Sequence, residues 1–255
     1  MTISKKEELP FEKSVVIIPT YNEAENIEKM LSELFENYPA IHILIIDDGS
    51  PDKTAELVKK FQQNSEKGKT NLHLIERSGK QGLGTAYLTG FRWAFKHNFD
   101  YLFEMDCDFS HDPKDLKGLL NHCLRYNCDL VIGSRYYKGI RVINWPLKRL
   151  LLSSFASIYA RFVTGIPLKD TTGGFKCFKV ASLKELNLNK IRSNGYSFQL
   201  ELNYKFWAKG LKIEEFPIIF YERRDGQSKM GLKIVLEAIY MVFVLRLKKV
   251  FGTLL

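Results

Sequence analysis

The feature that most limits what this chain can fold into is a pattern repeated through its first half. A short β-branched apolar run ends in a polar cluster, and a helical segment follows. Residues 15–18 (VVII) lead into Pro19-Thr20-Tyr21-Asn22-Glu23, and residues 41–46 (IHILII) into Asp47-Asp48-Gly49-Ser50. Residues 101–105 (YLFEM) lead to Asp106 and Asp108, and residues 130–132 to Gly133-Ser134-Arg135, with a further strand expected at 71–75. Between them, Ile27, Met30, Leu31, Leu34 and Phe35 have the spacing of an amphipathic helix entered from Asn22. Further helices are expected at 51–62 and 82–96 and from Pro113. Such alternation predicts an α/β fold, a mostly parallel central sheet with helices on both faces. Ligands bind beyond the carboxyl ends of strands in such sheets, so the four polar clusters are expected to converge on one edge.

The second half is less regular. Helices are expected at 149–164 and 198–208, a loop at 171–174, and at 213–221 a strand broken at Pro217 and hence in an edge or mixed position. Residues 232–251 form a largely apolar helix with Lys233, Glu237 and Lys248 on a polar stripe. Two placements stay open for it: packed on the core, or lying in a membrane interface with Arg246, Lys248 and Lys249 toward anionic headgroups.

No stretch free of Asp, Glu, Lys and Arg exceeds the eleven residues 150–160, against the roughly 20 apolar residues a spanning helix needs. No transmembrane helix is therefore expected. The opening MTISKKEELPFEKS mixes acids and bases without an apolar core, unlike a secretory signal. Cys107, Cys123, Cys128 and Cys177 show no CxxC or metal-finger spacing, which predicts buried, reduced thiols in a cytoplasmic setting.

The net charge of +9 is unevenly placed. Residues 130–169 carry seven basic side chains and no acid, residues 226–255 a net +4, and the remainder a net −2. A nucleic-acid or anionic-membrane binding module is one reading of that basic half, but the acidic sheet edge would repel a polyanion, so no nucleic-acid partner is expected.

Two phosphate cradles are absent: there is no P-loop, and Gly82 and Gly84 are followed by Tyr87 where a dinucleotide fingerprint needs its third glycine. Asp106 and Asp108 flank Cys107 at a strand end, where extended backbone sends alternate side chains to one face. Two carboxylates there repel a nucleotide diphosphate unless a divalent cation lies between, and Mg²⁺ or Mn²⁺ suits oxygen ligands of both kinds.

These clusters together resemble the GT-A-fold family-two glycosyltransferases. More narrowly, GSRYYKG (133–139), NWPLKR (144–149), DTTGGFKCF (170–178), GYSFQLE (195–201) and ERRDGQSKM (222–230) look like the dolichyl-phosphate (polyprenyl-phosphate) mannosyltransferase branch. The resemblance implies a polar lead-in at 1–13, a catalytic domain at 14–231 and a C-terminal amphipathic helix at 232–255. It implies that Pro19, Tyr21, Glu23 and Asp48 hold the nucleoside and that Asp106 and Asp108 hold the metal. It implies that Arg135, Arg149, Arg223 and Lys229 hold the donor diphosphate and the acceptor's phosphate. Ser110 stands where an archaeal relative supplies a Gln to the metal.

The implied reaction moves a hexose, mannose from GDP-mannose in the first instance, to dolichyl or polyprenyl monophosphate with inversion. A UDP-sugar donor of the glucosyl type is the alternative. An anionic membrane surface and a membrane-anchoring subunit are the further partners the resemblance admits, with the protein peripheral on the cytoplasmic face of a membrane.

Overall fold

The computed structural model describes residues 9–191, 193–222 and 232–251, the side chains of 196 and 232–238 excepted. The first half runs β1 (Ser14–Thr20), α1 (Ile27–Asn37), β2 (His42–Asp47), α2 (Thr54–Asn64), α3 (Glu66–Asn71), β3 (Leu72–Glu76), α4 (Leu83–Lys96), β4 (Tyr101–Glu104), α5 (Asp115–Tyr126) and β5 (Leu130–Ser134). The second half adds β6 (Val142–Ile143), α6 (Leu147–Thr164), β7 (Lys176–Lys179), α7 (Val180–Lys184), α8 (Gly195–Ala208), β8 (Ile213–Pro217), β9 (Phe220–Tyr221) and α9 (Leu232–Val250).

Seven strands form one sheet in the order β3-β2-β1-β4-β7-β5-β8, and β6 pairs with β9 in a small separate ribbon. Every pairing in the large sheet is parallel except those of β7, which runs antiparallel to both β4 and β5. Strand alternation divides the core in two. Val15 and Ile17 of β1 face Tyr87 and Phe91 of α4 and Phe198 and Phe206 of α8. Val16 and Ile18 face Met30 and Leu34 of α1 and Leu116 and Leu120 of α5. These side chains are fully buried, each stabilising the fold by roughly 1.5–3 kcal/mol. Gly90 of α4 sits where an added Cβ would lie 2.7 Å from Ile17, so a side chain there would push the helix off β1.

Several boundaries differ from the sequence expectation, each for a local reason. Strand β1 runs through Pro19 to Thr20. Its pairing with β4 has already stopped at Ile17 opposite Glu104, so the missing proline N–H breaks no ladder on that side. The second helix begins at Thr54 rather than 51, because the Asp52 carboxylate holds the Thr54 N–H and hydroxyl and also the Ala24 N–H, fixing a turn instead. The 213–221 segment divides at Pro217 into edge strand β8 and ribbon strand β9. Strand β7 was not expected. Entering the sheet from the opposite direction, it starts at the edge where β1, β2, β4 and β5 end, and so carries the 170–174 loop to that edge.

All four cysteines are buried and unpaired. Helix α9 turns one side to the core and the other to solvent. Val242 and Leu245 are in the core, while Tyr240, Phe243, Leu247, Val250 and Phe251 are exposed. The stripe residues Lys233 and Glu237 lie outside the described side chains. No helix of the described residues is long and apolar enough to cross a membrane.

Candidate active site

A cavity of about 440 Å³ opens at the carboxyl edge of the sheet. Pro19, Tyr21, Glu23, Asp48, Asp106, Asp108, Arg135 and Arg149 all line it, eight side chains drawn from five separate segments. Arg223 and Lys229 lie outside the described residues.

The nucleoside end is built by the turns after β1 and β2. Asp47 is buried and accepts hydrogen bonds from the Thr20 hydroxyl at 2.8 Å and the Ser50 hydroxyl at 2.6 Å, which ties the two turns together. Gly49 completes the second turn at φ +69°, a conformation L side chains rarely adopt. The neighbouring Asp48 accepts from Arg77 Nε at 2.5 Å and from the Gln81 N–H at 3.1 Å. Arg77 also reaches the Thr85 hydroxyl and the Gly82 carbonyl, so one guanidinium sets both Asp48 and the start of α4. Lys80 Nζ lies 4.5 Å from the centre of the Tyr21 ring. The Asn26 amide donates to the Glu23 carboxylate at 3.0 Å.

Asp106 and Asp108 follow β4, half-buried on either side of buried Cys107. The turn is tight: Phe109 has φ 57° and the Ser110 N–H donates to Asp108 Oδ1 at 3.0 Å. A bulky residue in the left-handed region is a strained arrangement of the kind found at functional turns. The field of the acids is felt by buried neighbours. Burial first, then Glu23, Asp108 and Asp106, push the Cys107 thiol well up. Burial first, then Asp106, Glu104 and Asp108, do the same to the Tyr87 hydroxyl, which is buried and has no hydrogen-bond partner among the described residues. Among the described residues no group of three His, Cys, Asp or Glu side chains is placed to hold a metal. Two carboxylates on one edge of an open cavity fit a hard divalent ion that keeps its other positions for phosphate oxygens and water.

The basic end is arranged differently from a set of free cations. Arg135 Nε and Nη2 bond both oxygens of fully buried Asp170, at 2.7 and 2.6 Å, and Nη2 also reaches the Thr172 hydroxyl. Burial raises the Asp170 carboxyl, but Arg135 outweighs it and holds the group below the usual carboxylate range. Arg149 Nη1 pairs with the Glu222 carboxylate, and its guanidinium lies 4.3 Å over the Trp145 ring, which Arg135 approaches at 5.5 Å. Arg77, Asp170 and Glu222 were not expected as site residues. Arg77 follows β3 as the other polar clusters follow their strands, and that position was its signal. Asp170 and Glu222 open two of the quoted motifs, but nothing local shows which arginine each one meets.

A sheet of this order, with paired acids after its fourth strand and a cavity along the carboxyl edge lined by both carboxylates and guanidinium groups, defines an α/β protein with a single mixed-charge site at that edge among the described residues. The chain belongs to glycosyl transferase family 2, whose family model matches residues 15–186. It is 40% identical to polyprenol monophosphomannose synthase of Mycolicibacterium smegmatis over 91% of this chain and 86% of that one. It is 39% identical to undecaprenyl-phosphate mannosyltransferase of Micrococcus luteus, covering 89% and 91% respectively. The GT-A fold is shared with the mannosyltransferase PcManGT of Pyrobaculum calidifontis, solved with GDP-Man and Mn²⁺, at TM-score 0.56 and 17% identity over 94% of this chain and 74% of that one. It is also shared with glucosyl-3-phosphoglycerate synthase of Mycobacterium tuberculosis, at TM-score 0.63 and 14% identity over 94% and 79%.

Proposed function

We propose that this protein is an inverting hexosyltransferase that moves mannose from GDP-mannose to a polyprenyl or dolichyl monophosphate, producing a lipid-linked sugar phosphate. The observation that carries this reading is the near-full-length similarity to two mannosyltransferases whose names specify polyprenyl acceptors. The lining of one cavity by eight of the ten residues singled out from sequence supports it.

In this reading Pro19, Tyr21 and Asp48 hold the nucleoside, with Asp48 aimed by Arg77, and Glu23 faces the donor from the first turn. Asp106 and Asp108 would hold Mg²⁺ or Mn²⁺, which when bound neutralises the donor diphosphate and stabilises it as a leaving group. The second pKa of a phosphate monoester is near 6, so the acceptor is largely dianionic at neutral pH and needs no strong general base. The protein's contribution is then to align the acceptor oxygen with the sugar's anomeric carbon. Arg149 is suited to that, as a partly buried guanidinium at the cavity wall. Arg135, held in place by Asp170, is assigned to the phosphates as well and also fixes the cavity wall. Arg223 and Lys229 are assigned to the phosphates from sequence resemblance alone. The unit 14–231 is read as the catalytic domain and 232–255 as an accessory helix.

A lipid acceptor requires approach to a membrane. On α6, Leu147, Leu151, Phe155, Ile158 and Phe162 form an exposed stripe at helical spacing, and α9 packs beside α6 with its own exposed apolar side chains. Exposed Arg161 and Arg246 flank this face. Apolar side chains bordered by cations suit an anionic lipid surface, with the protein peripheral on the cytoplasmic face. A membrane-anchoring subunit is a further partner this face would accept.

The test offers labelled GDP-mannose, UDP-glucose and UDP-N-acetylglucosamine in parallel to the protein with polyprenyl phosphate and Mn²⁺. Label entering the organic phase from GDP-mannose alone supports the reading. Transfer from a UDP-sugar instead identifies the alternative donor.

A further inference from the structure

Trp145 belongs to the NWPLKR segment, of which the mechanism above uses only Arg149. The backbone on either side sets its position. Asn144 turns the chain at φ 63°, in the left-handed region that asparagine tolerates, and Pro146 opens α6 at φ −58° and ψ 137°. A residue before proline is disfavoured from helical geometry, which keeps Trp145 out of the helix that starts two residues later. Its half-buried indole is directed at the wall of the cavity. The Arg149 guanidinium lies 4.3 Å from the ring centre and that of Arg135 5.5 Å, and the Phe220 ring meets it edge-on at 5.3 Å. All three of these residues line the cavity.

Arg149 occupies an unfavourable place for a cation. It and Lys148 stand in the first turn of α6, which holds no acid, where the helix dipole presents its positive end. A side chain that breaks a local rule in this way needs a compensating contact, and Arg149 has two of different kinds. Nη1 pairs with the Glu222 carboxylate, a contact at one nitrogen that leaves the plane of the guanidinium free to turn. The indole instead holds the flat face and takes up no N–H. A guanidinium carries five N–H donors, and among the described residues the bond to Glu222 is the one side-chain hydrogen bond Arg149 makes. Arg135 shows the contrast, with Nε and Nη2 given to Asp170 and Thr172.

We propose that Trp145 is a positioning residue for phosphate binding in the cavity. Its ring face fixes the plane of the Arg149 guanidinium through a contact that consumes no donor, and so keeps N–H groups of Arg149 for a phosphate oxygen. That this phosphate is the acceptor's rests on the functional reading above, and the experiment separates it from the donor's.

Steady-state kinetics of the full chain with Mn²⁺, GDP-mannose and polyprenyl phosphate, each substrate varied in turn, provide the test. Trp145→Leu keeps apolar bulk and removes the aromatic face, and Trp145→Phe keeps a smaller face. Trp145→Leu is expected to raise the KM for polyprenyl phosphate roughly three- to tenfold, the range of one cation–π contact. The KM for GDP-mannose and kcat should stay within about twofold, and Trp145→Phe should restore most of the loss. In an Arg149→Ala background Trp145→Leu should add less than about twofold, because the two act through one contact. Wild-type kinetics in Trp145→Leu, a rise in both KM values together, or effects that multiply in the double variant overturn the proposal. A rise confined to GDP-mannose keeps it and overturns the assignment of Arg149 to the acceptor. Wild-type protein that transfers no sugar to polyprenyl phosphate overturns the functional reading, and the proposal with it. Should Trp145→Leu fail to fold, fluorescence reads the same contact in the native chain. The emission that Trp145→Phe removes should change when a short-chain isoprenyl monophosphate is added, and should not change in Arg149→Ala. A response to GDP in its place moves the phosphate to the donor, and a response absent with both ligands, or kept in Arg149→Ala, overturns the proposal.

Discussion

The Arg135 guanidinium and the Asp170 carboxylate meet edge to edge, Nε to Oδ2 at 2.7 Å and Nη2 to Oδ1 at 2.6 Å, with Asp170 wholly buried. The pair joins the end of β5 to the loop before β7, and Arg135 lines the cavity with Asp170 behind it. Arg135→Ala would strand a buried carboxylate, and breaking such pairs from one side costs about 3–5 kcal/mol. Urea denaturation should show a loss of that order. Because Arg135 holds the folded carboxyl below its unfolded value, this stability is complete above the unfolded carboxylate pKa and fades as the pH falls through the folded one. A loss under 1 kcal/mol at pH 7 would contradict the structural role.

Arg149 stands differently, since its partner Glu222 is 25% exposed and on the cavity wall, whereas Asp170 is wholly buried. Arg149→Ala should raise the KM for polyprenyl phosphate on the order of ten- to a hundredfold, the range for losing a charge-assisted hydrogen bond. The KM for the nucleotide sugar should change far less. Steady-state kinetics with each substrate varied in turn separates the two, and equal shifts in both would remove Arg149 from the acceptor phosphate.

The exposed faces of α6 and α9 give a prediction independent of chemistry. Phe155 and Phe162 are 64% and 89% exposed, and each is worth roughly 1.5–3 kcal/mol when fully buried in an apolar phase. The double substitution Phe155→Ser with Phe162→Ser should lower partition onto anionic vesicles at least tenfold in a sedimentation assay. Activity on a short, water-soluble polyprenyl phosphate should remain. Unchanged partition would show that another surface meets the lipid.

Far from the cavity, His42 and His73 stack with Nδ1 and Nε2 3.2 Å apart, and His73 packs on Trp93, which stacks on His97. Burial, then His42 and His97, lower His73 to about 4. A folded-state histidine held neutral contributes stability that is full above its unfolded pKa, near 6.5. That stability is lost as the pH falls from there toward 4, because the unfolded chain binds the proton first. The urea midpoint should therefore drop across that window, and His73→Phe should flatten the drop. An identical pH profile in the variant would rule out this source.

What the sequence makes legible here is whatever depends on neighbours along the chain. The apolar runs at 15–18 and 41–46 and the acids that close them place β1, β2 and one edge of the site without any tertiary information. Strand β7 was hidden because its key position, Lys176, is a charged residue that is fully buried, and the partners that make that burial tolerable, Glu104 and Gln199, are distant in the chain. The same holds for Arg135. Its motif is legible, but its pairing with Asp170, 35 residues further along the chain, is not.

The central claim is that a phosphate-bearing lipid accepts a hexose at the Asp106–Asp108 edge. The most direct measurement follows label from GDP-mannose into organic-extractable product, with Mn²⁺, on polyprenyl phosphate and on the free polyprenol, for the wild type and a folded Asp108→Asn variant. The account predicts product from the wild type with the phosphate alone, and loss of that product in Asp108→Asn with an unchanged thermal midpoint. Equal labelling of the free alcohol, or full activity in Asp108→Asn, would contradict it.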